Sequence, residues 1–181
     1  IAAPSANRYG KISPTTAKAV FEELNGRIPI IIDGGSSSLG LESTVVDLSG
    51  KKTFVLRHGC VSSAKIEKVL GCDLKKIKNE KIFKSPGLNL RHYQPDNPLR
   101  INAKKQKINE GWLAFGKIPA GCKKPYKSLS KNKCLKEAAK NLYKMLRLLD
   151  KEKISGIAVQ KIPNKGIGVA LNDRLLKASN K

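Results

Sequence analysis

Ala3-Pro4-Ser5-Ala6-Asn7-Arg8-Tyr9-Gly10-Lys11-Ile12-Ser13-Pro14-Thr15-Thr16, followed by Ile30-Ile31-Ile32-Asp33-Gly34-Gly35 and then Glu42-Ser43-Thr44-Val45-Val46-Asp47, is the stretch around which the chain is organised. Small hydroxyls, one amide and two basic side chains crowd a Gly/Pro-shaped turn that runs into a helical pattern. A helix N-terminus presents unpaired backbone N–H groups and a positive dipole end, so this arrangement suits a phosphate. Ser13 as a hydroxyl cap, with Pro14 at the first helical position, predicts where the helix begins. Ala17, Val20, Phe21 and Leu24 give it one apolar face, and Gly26 stops it.

Outward from there, the β-branched run at residues 28–32, closed by Asp33-Gly34-Gly35, predicts a buried strand. Residues 43–48 and 53–56 predict two more strands, joined by Ser49-Gly50-Lys51-Lys52 as a hairpin. Ser62 or Ser63 caps a short helix through Leu70, with Ile66, Val69 and Leu70 inward. From Gly71 to Pro98 the composition turns to lysine and then to Ser85-Pro86-Gly87 and His92-Tyr93-Gln94-Pro95, which predicts an extended linker and not a core element. A second periodic region follows. Residues 112–116 read as a strand, and Leu135, Ala138, Ala139, Leu142, Met145, Leu146 and Leu149 mark an amphipathic helix. Residues 157–159 read as a further strand, and 166–178 as a Gly-started helix. Strand–helix–strand–helix order implies a small parallel α/β unit.

The 181 residues carry a formal charge of +22, which points to a polyanionic partner, although lysine is spread over nearly every segment and supplies most of that charge. Four cysteines and two histidines show no zinc spacing, and free thiols in a reducing cytoplasm are expected. No apolar run has the length of a membrane span. A functional loop with no strand before Ile1 predicts that the chain is N-terminally incomplete, because loops need scaffold on both sides.

Ala3-Pro4-Ser5-Ala6-Asn7, Ser13-Pro14-Thr15, Asp33-Gly34-Gly35, Glu42 through Asp47, and Leu56-Arg57-His58-Gly59 together resemble the YrdC-like family. Ser85-Pro86-Gly87, His92-Tyr93-Gln94-Pro95 and the C-terminal α/β lobe resemble its two-domain threonylcarbamoyl-AMP synthase form. The expected fold class is α/β: the C-terminal part of a YrdC-like twisted sheet domain over 1–71, a linker over 72–98, and a Rossmann-like domain over 99–181. The resemblance implies an enzyme, a nucleotidyltransferase that converts L-threonine, bicarbonate and ATP to threonylcarbamoyl-adenylate and pyrophosphate. It implies a contribution to threonylcarbamoylation of tRNA adenosine 37, double-stranded RNA binding, work with the threonylcarbamoyl-transfer machinery, and a cytoplasmic place without a membrane. The family's earlier basic nucleotide-binding segment has no counterpart here, so the fragment is expected to be inactive alone.

By resemblance, Ser5, Ser13, Asn7, Arg57 and Tyr93 contact ATP, and Ala3 and Ser43 contact L-threonine. Each has a plainer reading. Ser13 serves as a helix cap, Asn7 as an Asx-turn, Ser43 as a strand-edge serine, Arg57 as a salt-bridge partner, and Tyr93 as a linker anchor. Arg8 and Lys11 either neutralise phosphate or are solvated loop charges. Adenylation needs no enzyme nucleophile, so no catalytic residue is assigned. His58 beside Gly59 and Cys60 invites a Cys/His pair, which is rejected as a catalytic assignment. Mg²⁺ is expected with ATP, and no protein ligand is assigned among Asp33, Glu42 and Asp47. Two alternatives stand beside the synthase: a basic RNA- or nucleotide-binding module without chemistry, and a YrdC-like carbamoyl-transfer enzyme of hydrogenase maturation.

Overall fold

Threonine, not serine, starts the first helix. The computed structural model describes residues 3–76 and 92–180. In it α1 spans Ala17–Leu24, and its cap is Thr16, whose hydroxyl accepts the Ala19 N–H at 3.2 Å. Ser13 and Pro14 lie outside the helix because the Ser13 hydroxyl is already donated to Glu42, at 2.8 Å. Gly26, at φ 75°, stops the helix as its position suggested. The face of α1 that docks differs from the apolar one. Ala19 is the buried residue, and Glu22 and Glu23 pair with Lys151 and Arg147, while Phe21 is 54% exposed.

Residues 28–32 form no strand, and Ile30 and Ile32 are 75% and 89% exposed. A buried strand needs a ladder beside it, and no described strand pairs with this run. The hairpin is real: β1 (Val45–Asp47) pairs antiparallel with β2 (Phe54–Arg57), and Val45 stands opposite Arg57. Asp47 shapes the turn by accepting from the Ser49 N–H at 3.0 Å and the Ser49 hydroxyl at 2.6 Å. The next helix, α2 (Ser63–Leu70), runs from Ser62 to a left-handed Gly71, but it buries no residue, and Val69 is turned to solvent. Ile66 on its apolar side is half-buried.

The chain then returns to the sheet. β3 (Lys75–Lys76) lies parallel to β2, giving the order β1-β2-β3. Lys75–Lys76, within the stretch expected as linker, thus add an edge to the first sheet. Thr53 fastens them by donating its hydroxyl to the Asp73 carbonyl at 2.9 Å. Ser85-Pro86-Gly87 and Arg91 lie outside the described residues.

The second sheet comprises β4 (Leu99–Ala103), β5 (Glu110–Ala114), β6 (Tyr126–Ser128) and β7 (Gly156–Gln160). All pairings are parallel, in the order β4-β7-β5-β6. β4 and β6 escape a sequence reading because each includes a cation, Arg100 and Lys127, that interrupts its apolar run, and β6 is only three residues long. On one face lie α3 (Leu135–Asp150) and α4 (Ile167–Ser179), packed over Leu113, Leu129, Ile157 and Val159. The stripe Ala138, Leu142, Leu146 and Leu149 is fully buried, each leucine worth about 1.5–3 kcal/mol of transfer free energy.

This core does not stop at the second sheet. Ile12 from the opening turn and Tyr93 from the segment before β4 belong to the same buried cluster as α3 and α4. Arg147 of α3 donates to the Ile12 carbonyl and pairs with Glu23 at 3.2 Å. Gly40, at φ 73°, comes so close to α3 that a Cβ there would stand 2.6 Å from the Ala139 carbonyl oxygen. The opening turn is thus seated on the C-terminal lobe.

Candidate functional site

Ser43 enters β1 and Arg57 leaves β2, so the hairpin register brings them side by side. The Arg57 guanidinium donates from Nε to the Ser43 carbonyl at 3.1 Å and from Nη2 to the Ser43 hydroxyl at 3.2 Å. Its planar fork fixes both the backbone and the side chain of an exposed serine, a task a lysine cannot match. Gly59 allows this proximity, because a Cβ there would fall 2.5 Å from the Ser43 carbonyl carbon and 2.6 Å from the Glu42 carbonyl oxygen.

Behind Ser43 lies a buried polar cluster. Glu42 accepts from the Ser13 hydroxyl at 2.8 Å, from the Tyr143 hydroxyl at 2.8 and 3.0 Å, and from Arg174 Nε at 3.0 Å. Burial pushes its carboxyl up, but the Arg174 charge and the hydrogen bonds outweigh this and hold it below the ordinary carboxylate value. Arg174 has a side chain with no solvent exposure and also donates to the His58 carbonyl at 2.8 Å and to Asp173 at 2.5 Å. Its guanidinium lies 5.1 Å from the centre of the Tyr93 ring.

Tyr93 itself is 1% exposed and holds a left-handed backbone at φ 65°, a strained state for a bulky residue. His92 packs edge-on to its ring at 4.1 Å, and Tyr143 stacks on it at 5.7 Å. Burial pushes the Tyr93 hydroxyl up to about 12, against the opposing Arg174 charge. That hydroxyl and His92 Nδ1 are buried without a hydrogen-bond partner among the described residues. Such a group is uncommon in a folded protein and asks for an acceptor or donor from elsewhere. Burial also lowers the His92 imidazole, Glu42 acting in the opposite sense.

The remaining candidates divide. Ala3 and Ser5 are exposed on the turn. Asn7 donates its amide to the Arg8 carbonyl at 2.8 Å and the Lys11 carbonyl at 3.3 Å, so the group offered to phosphate is shaping the loop. Arg8 pairs with Glu23 at 3.0 Å and Lys11 pairs with Asp96, so neither is a merely solvated charge. Ser13 is 3% exposed with its proton committed to Glu42, one layer behind the surface. The structure therefore brings Ser43, Arg57 and Tyr93 together around the Glu42–Arg174 pair, with Ser13 beneath. Sequence reasoning passed over Arg174 and Tyr143. Their signal was present: Arg174 falls on the inward stripe of Ala170, Leu171, Leu175 and Ala178, and Tyr143 on that of Ala139, Leu142 and Leu146.

The carboxylates weighed for metal are engaged elsewhere. Asp33 accepts the Gly35 N–H at 2.9 Å, Asp47 holds its turn, and Glu42 is bound as above. Among the described residues no group of three His, Cys, Asp or Glu side chains is placed to hold a cation. All four cysteines are free thiols, and burial pushes the Cys60 thiol up, away from nucleophile chemistry. No described helix is long and apolar enough to cross a membrane.

The fold is that of an α/β protein in which a hairpin-borne Ser–Arg clamp is backed, through a buried ion pair, by a parallel α/β lobe, and the candidate residues gather at that junction. Residues 61–180 match the family model described as threonylcarbamoyl-AMP synthase, C-terminal domain, and residues 1–59 match the one described as telomere recombination. The chain belongs to the Sua5/YrdC family. It is 36% identical over 196 residues to the threonylcarbamoyl-AMP synthase of Pyrococcus abyssi, covering 99% of this chain and 57% of the relative. The Bacillus subtilis threonylcarbamoyl-AMP synthase is 36% identical over 197 residues, with the same coverage of each. The crystal structure of P. abyssi Sua5 complexed with L-threonine superposes with a TM-score of 0.83 at 32% identity, covering 97% of this chain and 56% of that one. The chain thus spans little more than half the length of the relatives it matches.

Proposed function

We propose that the chain forms the later part of a threonylcarbamoyl-AMP synthase and supplies the threonine-facing side of its site. The observation that carries this reading is the Arg57 clamp on Ser43, at 3.1 and 3.2 Å, in a fold similar to a relative solved with L-threonine. With its hydroxyl held at a fixed angle, Ser43 offers a lone pair and a rotatable proton to the ammonium or carboxylate of a small amino acid. The reaction joins L-threonine and bicarbonate into a carbamate with loss of water. A carbamate oxygen then attacks the α-phosphorus of ATP, and pyrophosphate leaves.

In this scheme the residues orient the substrates. Arg57 holds Ser43 in place, Ser5 and the backbone at Ala3 line the turn, and the Tyr93 hydroxyl supplies the unmatched polar group. Asn7 and Ser13 act one layer back, by holding the loop and Glu42. Mg²⁺ enters as the ATP complex, carried by phosphates, since the nearby carboxylates are engaged. The charge of +22 supports a polyanionic partner such as tRNA, and the reading places the reaction in the cytoplasm, ahead of the threonylcarbamoyl-transfer machinery.

The test is pyrophosphate release from ATP by the full-length protein, with L-threonine, bicarbonate and Mg²⁺ each left out in turn. Release that needs all three supports the synthase. Release that ignores threonine or bicarbonate overturns it, and no release together with tight RNA binding favours the binding module. The 181-residue chain alone is expected to give no turnover, as it spans 57% of its relatives.

A further inference from the structure

Arg174 is an arginine on the apolar stripe of α4, flanked by Leu171, Leu175 and Ala178, with its side chain fully out of solvent. Taking a guanidinium out of water is costly unless its donors are matched. Here all three nitrogens are: Nε donates to Glu42 at 3.0 Å, Nη1 to Asp173 at 2.5 Å, and Nη2 to the His58 carbonyl at 2.8 Å. Its guanidinium carbon lies over the Tyr93 ring, 5.1 Å from the centroid. The partners outside α4 have one property in common. Glu42 precedes Ser43, His58 follows Arg57, and Tyr93 is itself a site residue.

We infer that Arg174 is a positioning residue that fastens the three site segments, at residues 42–43, 57–58 and 92–93, to the C-terminal lobe, so that this lobe is a working part of the site. The inference rests on the proposed synthase for its substrate, but its geometry does not. The three segments are separated by at least fourteen residues in sequence and come from a loop, a strand end and the lobe connection. The hairpin register and the Arg57–Ser43 bonds hold the first two together directly. Tyr93 is joined to them through Arg174 and, by stacking and a shared carboxylate, through Tyr143. A lysine offers a point charge without a planar fork, so it cannot reach Glu42 and the His58 carbonyl while facing an aromatic ring. The threefold contact, and not charge alone, is what the role requires.

The test compares Arg174→Lys with Leu149→Ala, a core change on α3 away from these contacts, at temperatures giving both the same margin below melting. Hydrogen exchange at residues 42–45, 57–59 and 92–94 is expected to quicken about tenfold or more in Arg174→Lys, and the KM for L-threonine to rise by a similar factor with kcat changed less. The Leu149→Ala protein should show neither. Equal exchange and equal KM in the two variants would overturn the assignment and leave Arg174 a packing residue. If Arg174→Lys does not fold, native-state exchange of the unaltered protein in mild denaturant decides. The three segments should open together with α4, and their opening independently of α4 refutes the inference. Absence of threonine-dependent turnover in the full-length unaltered protein, the form in which the KM values are measured, would sink the synthase reading, and the exchange result would still stand or fall by itself.

Discussion

Replacing Glu42 with Gln removes one charge from the centre of the lobe junction and keeps the side chain's size. Glu42 is 16% exposed at its side chain and Arg174 is wholly buried, so solvent screens the pair little. Removing one partner of a buried pair costs about 3–5 kcal/mol, because the other charge is left uncompensated. Two features pull this to the lower end. Asp173 still faces Arg174 at 2.5 Å, and the Ser13 and Tyr143 hydroxyls can rotate to accept from the new amide. A loss of about 3 kcal/mol in a chain of this size corresponds to roughly 6–12 °C in melting temperature. Calorimetry at neutral pH measures it. The pH dependence supplies an independent check. The Glu42 carboxyl is held below its ordinary value when folded, so its contribution is complete above the unfolded carboxyl value of about 4.3 and is lost as pH falls through the folded one. The gap between the unaltered protein and Glu42→Gln should therefore close progressively on acidification below that point. A melting difference under about 2 °C at neutral pH, well below the range that follows from the pair's burial, would refute the reasoning. So would a gap that stays constant into acid.

Two further substitutions separate anchoring from ligand contact. Tyr93→Phe removes a buried hydroxyl with no described partner and should leave melting unchanged or slightly raised, while weakening ATP binding about tenfold by calorimetric titration. Tyr93→Ala opens the core and should cost about 3–5 kcal/mol by denaturant unfolding; unaltered ATP affinity in the Phe variant would make Tyr93 an anchor only. Gly59→Ala forces a methyl onto the Ser43 backbone, and the overpacking should cost about 1–3 kcal/mol and weaken L-threonine binding. Retained threonine affinity in a folded Gly59→Ala protein would show that this close approach does not set the site.

The fold was readable where a pattern was long or punctuated. The amphipathic stripe of α3, the Gly166 start of α4, the Gly26 stop and the end of α2 at Leu70 follow from spacing and from glycine's access to left-handed backbone. The reading failed where a residue had two uses. Ser13 is as good a cap as Thr16 in isolation, and only Glu42, twenty-nine positions on, decides between them. The run at residues 28–32 has strand composition, yet composition cannot supply the neighbouring ladder a strand requires. For α1 the apolar face was legible, but the ion pairs to Arg147 and Lys151 chose the opposite face for docking.

The same division holds at the site. The residues Ser43, Arg57 and Tyr93 could be named as candidates through a family resemblance carried by motifs in order along the chain, while their local chemistry left each a plainer reading. Their common attachment could not. Glu42, Tyr143 and Arg174 lie 101 and 132 positions apart in the two pairings that matter, and a contact across such a distance leaves no periodic trace. By itself the sequence determined the helices, the hairpin, the basic charge and the candidate groups, all set by short-range sterics and composition. The tertiary structure decided that the opening turn rests on the C-terminal lobe, with an arginine from that lobe beneath the site. Burying a guanidinium requires partners from every side at once, and only the folded chain brings them together.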